Sequence, residues 1–233
     1  MNQLKTGAIL SYITIFLTVI IGVMLTPFII QKLGDAEYGL YTLIGAFVGY
    51  ISVLDFGLNN TIIRFVAKYR AEQSKTKEEN FLAVTMIIYA IISVIIAIIG
   101  VVLYYHLECF FENSLTFEEI RKAKLMFSIL IFNLVITLPG GSFNAICSGY
   151  ENFVFPRVIN ILRYVFRSVL VVTLLFFGGD SISIVVLDTI MNILVIVVNA
   201  YYVFKKLKVV FRLHYFDTTL VKEIFSYSFW VFI

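Results

Sequence analysis

Cysteine, histidine, proline and charge are all scarce in this chain of 233 residues. The two cysteines, Cys109 and Cys147, lie far apart and lack metal-ligand spacing, which excludes a disulfide framework and a cysteine zinc site. The two histidines, His106 and His214, fall in segments expected to connect helices, which argues against a histidine-based metal or catalytic cluster. Three prolines and the absence of low-complexity tracts argue against a disordered arm. There is no P-loop pattern and no soluble stretch to carry one, so ATP hydrolysis is not expected. No cofactor is implied, and nothing points to a nucleic-acid partner. Charged residues make up 14% of the chain, where a soluble domain has about a quarter.

What the chain has instead is apolar surface. Hydrophobic residues reach 61%, mean hydropathy is +0.96, and the net charge is a modest +3. This is the composition of an all-α, polytopic membrane helix bundle. A hydrocarbon core of about 30 Å requires about 20 apolar residues in a helix. Six stretches meet that length: 7–30, 38–65, 81–105, 125–147, 158–177 and 182–204. The fourth is interrupted by Pro139-Gly140-Gly141, a candidate hinge whose alternative is a static kink. A seventh span begins near Ile224, and the sequence stops inside it, so the chain is expected to be a fragment or a truncated reading frame. The first span is too long for a cleaved signal peptide, lacks a small-residue cleavage site after it, and is expected to stay as an anchor. The expected organisation is a six-helix lobe over 1–204, a basic amphipathic linker over 205–223, and the start of a second lobe over 224–233.

Lysine and arginine in short loops set orientation. With the N-terminus cytoplasmic, the inner flanks hold 11 of the 18 basic residues and the outer flanks 4, with Arg64, Arg163 and Arg167 inside spans. That distribution predicts N-in, with Cys109 facing outward and Cys147 near the inner surface. Thr116 followed by Glu119 is a capping-box pattern and predicts that the fourth helix starts before it enters the bilayer.

Polar side chains recur at helical spacing inside these spans. Ser11, Thr14, Thr18, Gly22 and Thr26 share a face of the first, and Asn133, Thr137, Gly140 and Asn144 one of the fourth. Asn160, Arg163, Tyr164 and Arg167 share a face of the fifth, and Asp188, Asn192 and Asn199 one of the sixth. Stripes of small residues are expected to pack helices closely. The third span has no such stripe and is expected to face lipid. In the second, read as one helix, Ser52, Asp55 and Asn59 lie opposite Asn60 and Arg64. That helix is expected in the bundle interior beside an aqueous cavity, with Arg64 near the cytoplasmic end as either a cavity residue or a phosphate anchor. Charge is the sharper signal, because an arginine at the bilayer centre costs at least about 2.5–3.5 kcal/mol. Arg163 lies about 8 Å in from Val158 and Arg167 one turn deeper. Two readings remain open: a structural salt bridge to Asp188, or a cationic, water-filled cavity that receives an anionic substrate.

The run 33–69, LGDAEYGLYTLIGAFVGYISVLDFGLNNTIIRFVAKY, resembles the polysaccharide-transporter family, the O-antigen and capsule-repeat flippases of the Wzx type. These belong to the multidrug/oligosaccharidyl-lipid/polysaccharide (MOP) exporter superfamily. The matching residues are Leu33-Gly34, Tyr38-Gly39, Asp55-Phe56-Gly57-Leu58 and Arg64, followed by a basic loop, with Gly149-Tyr150-Glu151 similar to a later turn. The resemblance implies a transporter of undecaprenyl-diphosphate-linked oligosaccharide in the bacterial inner membrane, working by alternating access between two six-helix lobes. Its partners would be the lipid-linked oligosaccharide, membrane lipids and the polysaccharide polymerase machinery. The chain has the length of one lobe and the start of another. Arginine suits the diphosphate, and amides and hydroxyls suit sugars. Three rivals stand beside this reading. A cation or drug antiporter would use Asp55 and Asp188. A polytopic glycosyltransferase would use Asp35 or Glu37 as catalytic acid. A half-length chain would have no transport activity of its own.

Overall fold

The computed structural model describes residues 3–53, 57–112 and 114–232. It is an all-α helix bundle, with no strand among the described residues. The elements are α1 (Gln3–Leu33), α2 (Asp35–Ser52), α3 (Leu58–Ala71), α4 (Lys75–Phe111), α5 (Phe117–Gly149), α6 (Val154–Phe176), α7 (Ser181–Tyr201) and α8 (Thr218–Phe232). A π-helical turn, Tyr202–Lys206, extends α7. Among the described residues, α1, α4, α5, α6 and the extended α7 are long and apolar enough to cross a membrane.

The helices run alternately between two ends. At the end where the chain starts, the Val154 amide donates to Gln3, and the amides of His214 and Tyr215 donate to the buried Asn80 carbonyl at 2.9 and 3.0 Å. We call this the near end. At the far end, Glu37, Lys122 and Ser181 meet. The capping box at the start of α5 is present, with the Thr116 amide donating to Glu119 at 2.8 Å and the Glu119 amide returning to the Thr116 hydroxyl.

The second crossing departs from the sequence expectation. It is not one helix but two, α2 and α3, and Gly57 precedes α3 with φ of 73°. That left-handed conformation is cheap only for glycine. The helical phase that grouped position 55 with Asn59 therefore does not carry across the break, and Asp55 itself lies outside the described residues. The fourth crossing departs in the other direction: α5 runs unbroken through Pro139. Proline lacks an N–H and deprives the carbonyl four residues earlier of its partner. Here that carbonyl, on Val135, accepts from the Ser93 hydroxyl of α4 at 3.0 Å. The two following glycines make room for neighbours. A Cβ on Gly140 would lie 2.5 Å from the Ile196 side chain of α7, and one on Gly141 3.3 Å from the Asn59 amide of α3.

The third crossing, α4, does not simply face lipid. One side carries Phe81, Tyr89, Ile96 and other fully buried residues into the main core, where Phe81 stacks on Phe65 at 5.0 Å. The other side, with Ile91, Val94 and Ile98, is exposed. Both sides are equally apolar because lipid and protein interior are similar solvents. His106, expected in a connection, is part of α4. The hydroxyls of Ser11, Thr14 and Thr18 donate to carbonyls of their own helix α1, which packs along α6. A second, smaller core of Leu25, Ile29, Val171, Leu175 and Ile184 joins α1, α6 and α7.

Candidate functional site: a two-rung polar ladder

Helices α6 and α7 form an antiparallel hairpin across a short turn, Phe177–Asp180, in which the amides of Gly178 and Gly179 donate to the carbonyls of Leu175 and Leu174. The Asp180 side chain caps α7, accepting from the Ser183 amide at 3.0 Å. A tight antiparallel hairpin pairs residues equidistant from its turn. Arg167 meets Asp188, and one helical turn further from the turn Arg163 meets Asn192. Both rungs are centred on the same point, between Phe177 and Gly178.

The first rung is bidentate: Arg167 Nε donates to one Asp188 oxygen at 2.5 Å and Nη2 to the other at 2.8 Å. Planar fork-to-fork pairing of this kind is the strong form of an ion pair. The Tyr41 side chain of α2 also lies close enough to Arg167 to interact with it electrostatically. The side chains of Arg167 and Asp188 remain 24% and 23% exposed, so the rung is not sealed. In the second rung Arg163 Nη1 donates to the Asn192 side-chain oxygen at 2.6 Å. Asn192 in turn donates to Asn133 of α5 at 3.0 Å, and Thr137 donates to the same oxygen at 2.8 Å. Arg163 Nε is buried and has no hydrogen-bond partner among the described residues.

The ladder thus holds two guanidinium groups and one carboxylate. Arg167 is neutralised, whereas among the described residues Arg163 has the neutral amide of Asn192 and its neighbour Tyr164, over whose ring it lies at 5.3 Å. Along α6, which starts at Val154, Arg163 lies about 14 Å and Arg167 about 20 Å from the near end of a helix about 34 Å long. An uncompensated charge at that depth is costly unless water or an anion reaches it.

The remaining sequence-selected residues are placed as follows. Asn160 is half-buried on α6, one turn before Arg163. Asn59 is half-buried against Gly141, while Asn60 and Arg64 are exposed on α3, away from the ladder. Arg64 lies over the Tyr227 ring of α8 at 4.1 Å. Asp35 is exposed in the first turn of α2. Glu37 is a staple between helix ends: one oxygen accepts from the Ser181 amide and hydroxyl, both at 2.9 Å, and the other from Lys122 at 3.2 Å. Burial alone would raise its pKa, but those hydrogen bonds and the lysine charge outweigh burial and hold the carboxyl below its ordinary 4.5. A general acid at neutral pH requires the opposite shift.

Sequence reasoning missed Tyr41 and Ser93. No periodic signal marks Tyr41, which reaches Arg167 from a helix far away in sequence. Pro139 signals that some donor must serve Val135, but not which one.

Comparisons with known proteins follow this geometry. A family model described as "Polysaccharide biosynthesis protein" matches residues 4–233. The uncharacterised membrane protein EpsK of Bacillus subtilis (strain 168) is 34% identical over 76 residues, which is 31% of this chain and 15% of that protein. Among solved structures, a MOP superfamily transporter from Pyrococcus furiosus, described as having a binding pocket of reverse polarity, superposes with a TM-score of 0.76 at 16% identity. That match covers 98% of this chain and 52% of the other. An outward-facing multidrug resistance MATE family transporter of the same superfamily gives 0.75 at 17% identity, again covering 98% and 52%. The chain therefore spans about half the length of the solved transporters whose fold it shares.

Proposed function

We propose, from the premise that the chain belongs to the polysaccharide biosynthesis protein family and has the fold of MOP-type transporters, that it serves to move a lipid-linked oligosaccharide across the bacterial cytoplasmic membrane. The passenger on this reading carries an isoprenoid diphosphate, and its glycan feeds cell-surface polysaccharide such as O-antigen or capsule. The supporting observation is Arg163: a guanidinium in the middle of α6, paired to neutral Asn192, with its buried Nε unpartnered among the described residues. Such a group is stabilised by an incoming phosphate, whose oxygens accept what Asn192 leaves unmet. Arg167 has a different part. Held by Asp188, it ties α6 to α7 and keeps Arg163 in register. Asn133, Thr137 and Asn192 offer amides and a hydroxyl for the first sugar.

In this reading α1–α7 form one lobe, the segment after the π-helical turn is the linker, and α8 opens a second lobe. Alternating access would open and close the ladder between lobes, with Pro139, Gly140 and Gly141 as the place where α5 bends. The N-terminus would be cytoplasmic, and a polysaccharide polymerase would receive the product. The antiporter alternative would use Asp55, which lies outside the described residues, and Asp188, which Arg167 already engages; the fold shared with a multidrug transporter is compatible with it.

The test is genetic. In the complete gene, a strain relying on Arg163→Gln loses surface glycan while the protein still reaches the membrane, and Arg163→Lys keeps part of it. Normal glycan display with Arg163→Gln would refute the assignment.

A further inference from the structure

A second cationic site lies well away from the ladder. Helices α3 and α8 are clamped by a buried hydrogen bond between Thr61 and Ser228 at 2.6 Å, ten residues in from the near-end terminus of each helix. Beside the clamp runs a groove of about 570 Å³, lined by Arg64, Lys68, Lys222, Glu223, Tyr227 and Trp230 among others. It holds three cations and one carboxylate. None of the three cations forms an ion pair among the described residues, although five other pairs do form. The Arg64 guanidinium lies on the Tyr227 ring at 4.1 Å. Stacking occupies the face of a guanidinium and leaves its N–H edge free to donate. Lys68 is one turn nearer the helix end than Arg64, and Lys222 is on the first turns of α8. Trp230, two turns further along α8 from Lys222, adds an exposed aromatic wall to the groove.

The arrangement combines a charged mouth with an apolar throat. A water-soluble anion would use only the mouth, whereas an amphiphile with a phosphate head fills both. We propose that the α3–α8 groove is a binding site for a phosphate-bearing lipid, its head among Arg64, Lys68 and Lys222 and its tail along Trp230. This does not rest on the ladder or on the identity of the passenger. An anionic bilayer lipid and an isoprenoid diphosphate share the required chemistry.

Native mass spectrometry of the purified protein decides, with phosphatidylglycerol, undecaprenyl diphosphate and phosphatidylcholine offered separately. The measurement is made in wild type and in an Arg163→Gln background, so that the ladder's free guanidinium makes no contribution. The anionic lipids are retained and phosphatidylcholine is not. Retention falls about 100-fold in Arg64→Gln/Lys68→Gln/Lys222→Gln, at about fivefold for each cation. It survives in Arg64→Lys/Lys68→Arg/Lys222→Arg. Preference for undecaprenyl diphosphate identifies the site as a station for the isoprenoid carrier, and preference for phosphatidylglycerol identifies it as a bilayer-lipid anchor. Equal retention of phosphatidylcholine, or unchanged retention in the triple glutamine variant, overturns the proposal. Should that variant not fold, competition by inorganic diphosphate in the Arg163→Gln protein replaces it: displacement supports the site, and its absence overturns it.

Discussion

Replacing Asp188 with asparagine preserves the shape of the side chain and removes the charge that Arg167 faces. Two hydrogen bonds between ions, at 2.5 and 2.8 Å, become at best one bond from the guanidinium to an uncharged amide oxygen. Breaking a fully buried ion pair by removing one partner costs about 3–5 kcal/mol. This pair is about a quarter exposed, so water relieves part of that, and the expected loss is about 2–3 kcal/mol. Arg167→Met alone strands Asp188, Asp188→Leu alone strands Arg167, and each costs about as much. Arg167→Met/Asp188→Leu removes both charges and replaces them with apolar side chains, which is near neutral in comparable cases, within about 1 kcal/mol. The cycle therefore predicts a coupling of at least about 2 kcal/mol. Reversible unfolding of the purified protein in mixed micelles, followed by helical circular dichroism, measures each corner. If Asp188→Asn is as stable as wild type, or the double variant loses the sum of the single losses, the pair does not hold the hairpin and the division of roles between the two arginines fails.

Three further outcomes follow from individual contacts. Ser93→Ala leaves the Val135 carbonyl without a partner beside Pro139 and lowers stability by about 1 kcal/mol in the same unfolding assay, with Ser93→Thr retaining more. Glu37 has a folded pKa below its ordinary 4.5, so its contribution is present above that value and is lost as pH falls through the lower folded one. The gap of about 1 kcal/mol between wild type and Glu37→Gln at neutral pH should close in acid, and a constant gap would show that the carboxylate charge is irrelevant. An impermeant maleimide applied to spheroplasts labels exposed Cys109 and spares buried Cys147, and Cys109 protected from outside but labelled after lysis would reverse the proposed orientation.

Much of the bundle is legible in composition, because 20-residue apolar runs have few alternatives to crossing a membrane. The ladder partners were also within reach of sequence. A short turn at Gly178-Gly179 fixes an antiparallel register, and that register pairs Arg167 with Asp188 and Arg163 with Asn192 without further information. Treating the two arginines together, as either salt-bridged or cavity-lining, obscured this, since only one of them has a carboxylate at its own height. The split of the second crossing was not legible, because the break rests on one backbone angle at Gly57. Nor was the continuity of α5. Pro139 interrupts a helix in isolation, and only the tertiary arrival of Ser93 compensates for it. The burial of α4 escaped for a different reason: where lipid and core are alike, an apolar side chain does not reveal which it touches.

The central claim is that Arg163 waits, without a counter-charge, for a phosphate that crosses the membrane. The most direct measurement reconstitutes the complete protein in vesicles with a fluorescent isoprenoid-diphosphate oligosaccharide and follows its loss from one leaflet. Wild type should move the probe, Arg163→Gln should stop it at unchanged protein incorporation and folded stability, and Arg163→Lys should slow it. Equal translocation by wild type and Arg163→Gln would contradict the account.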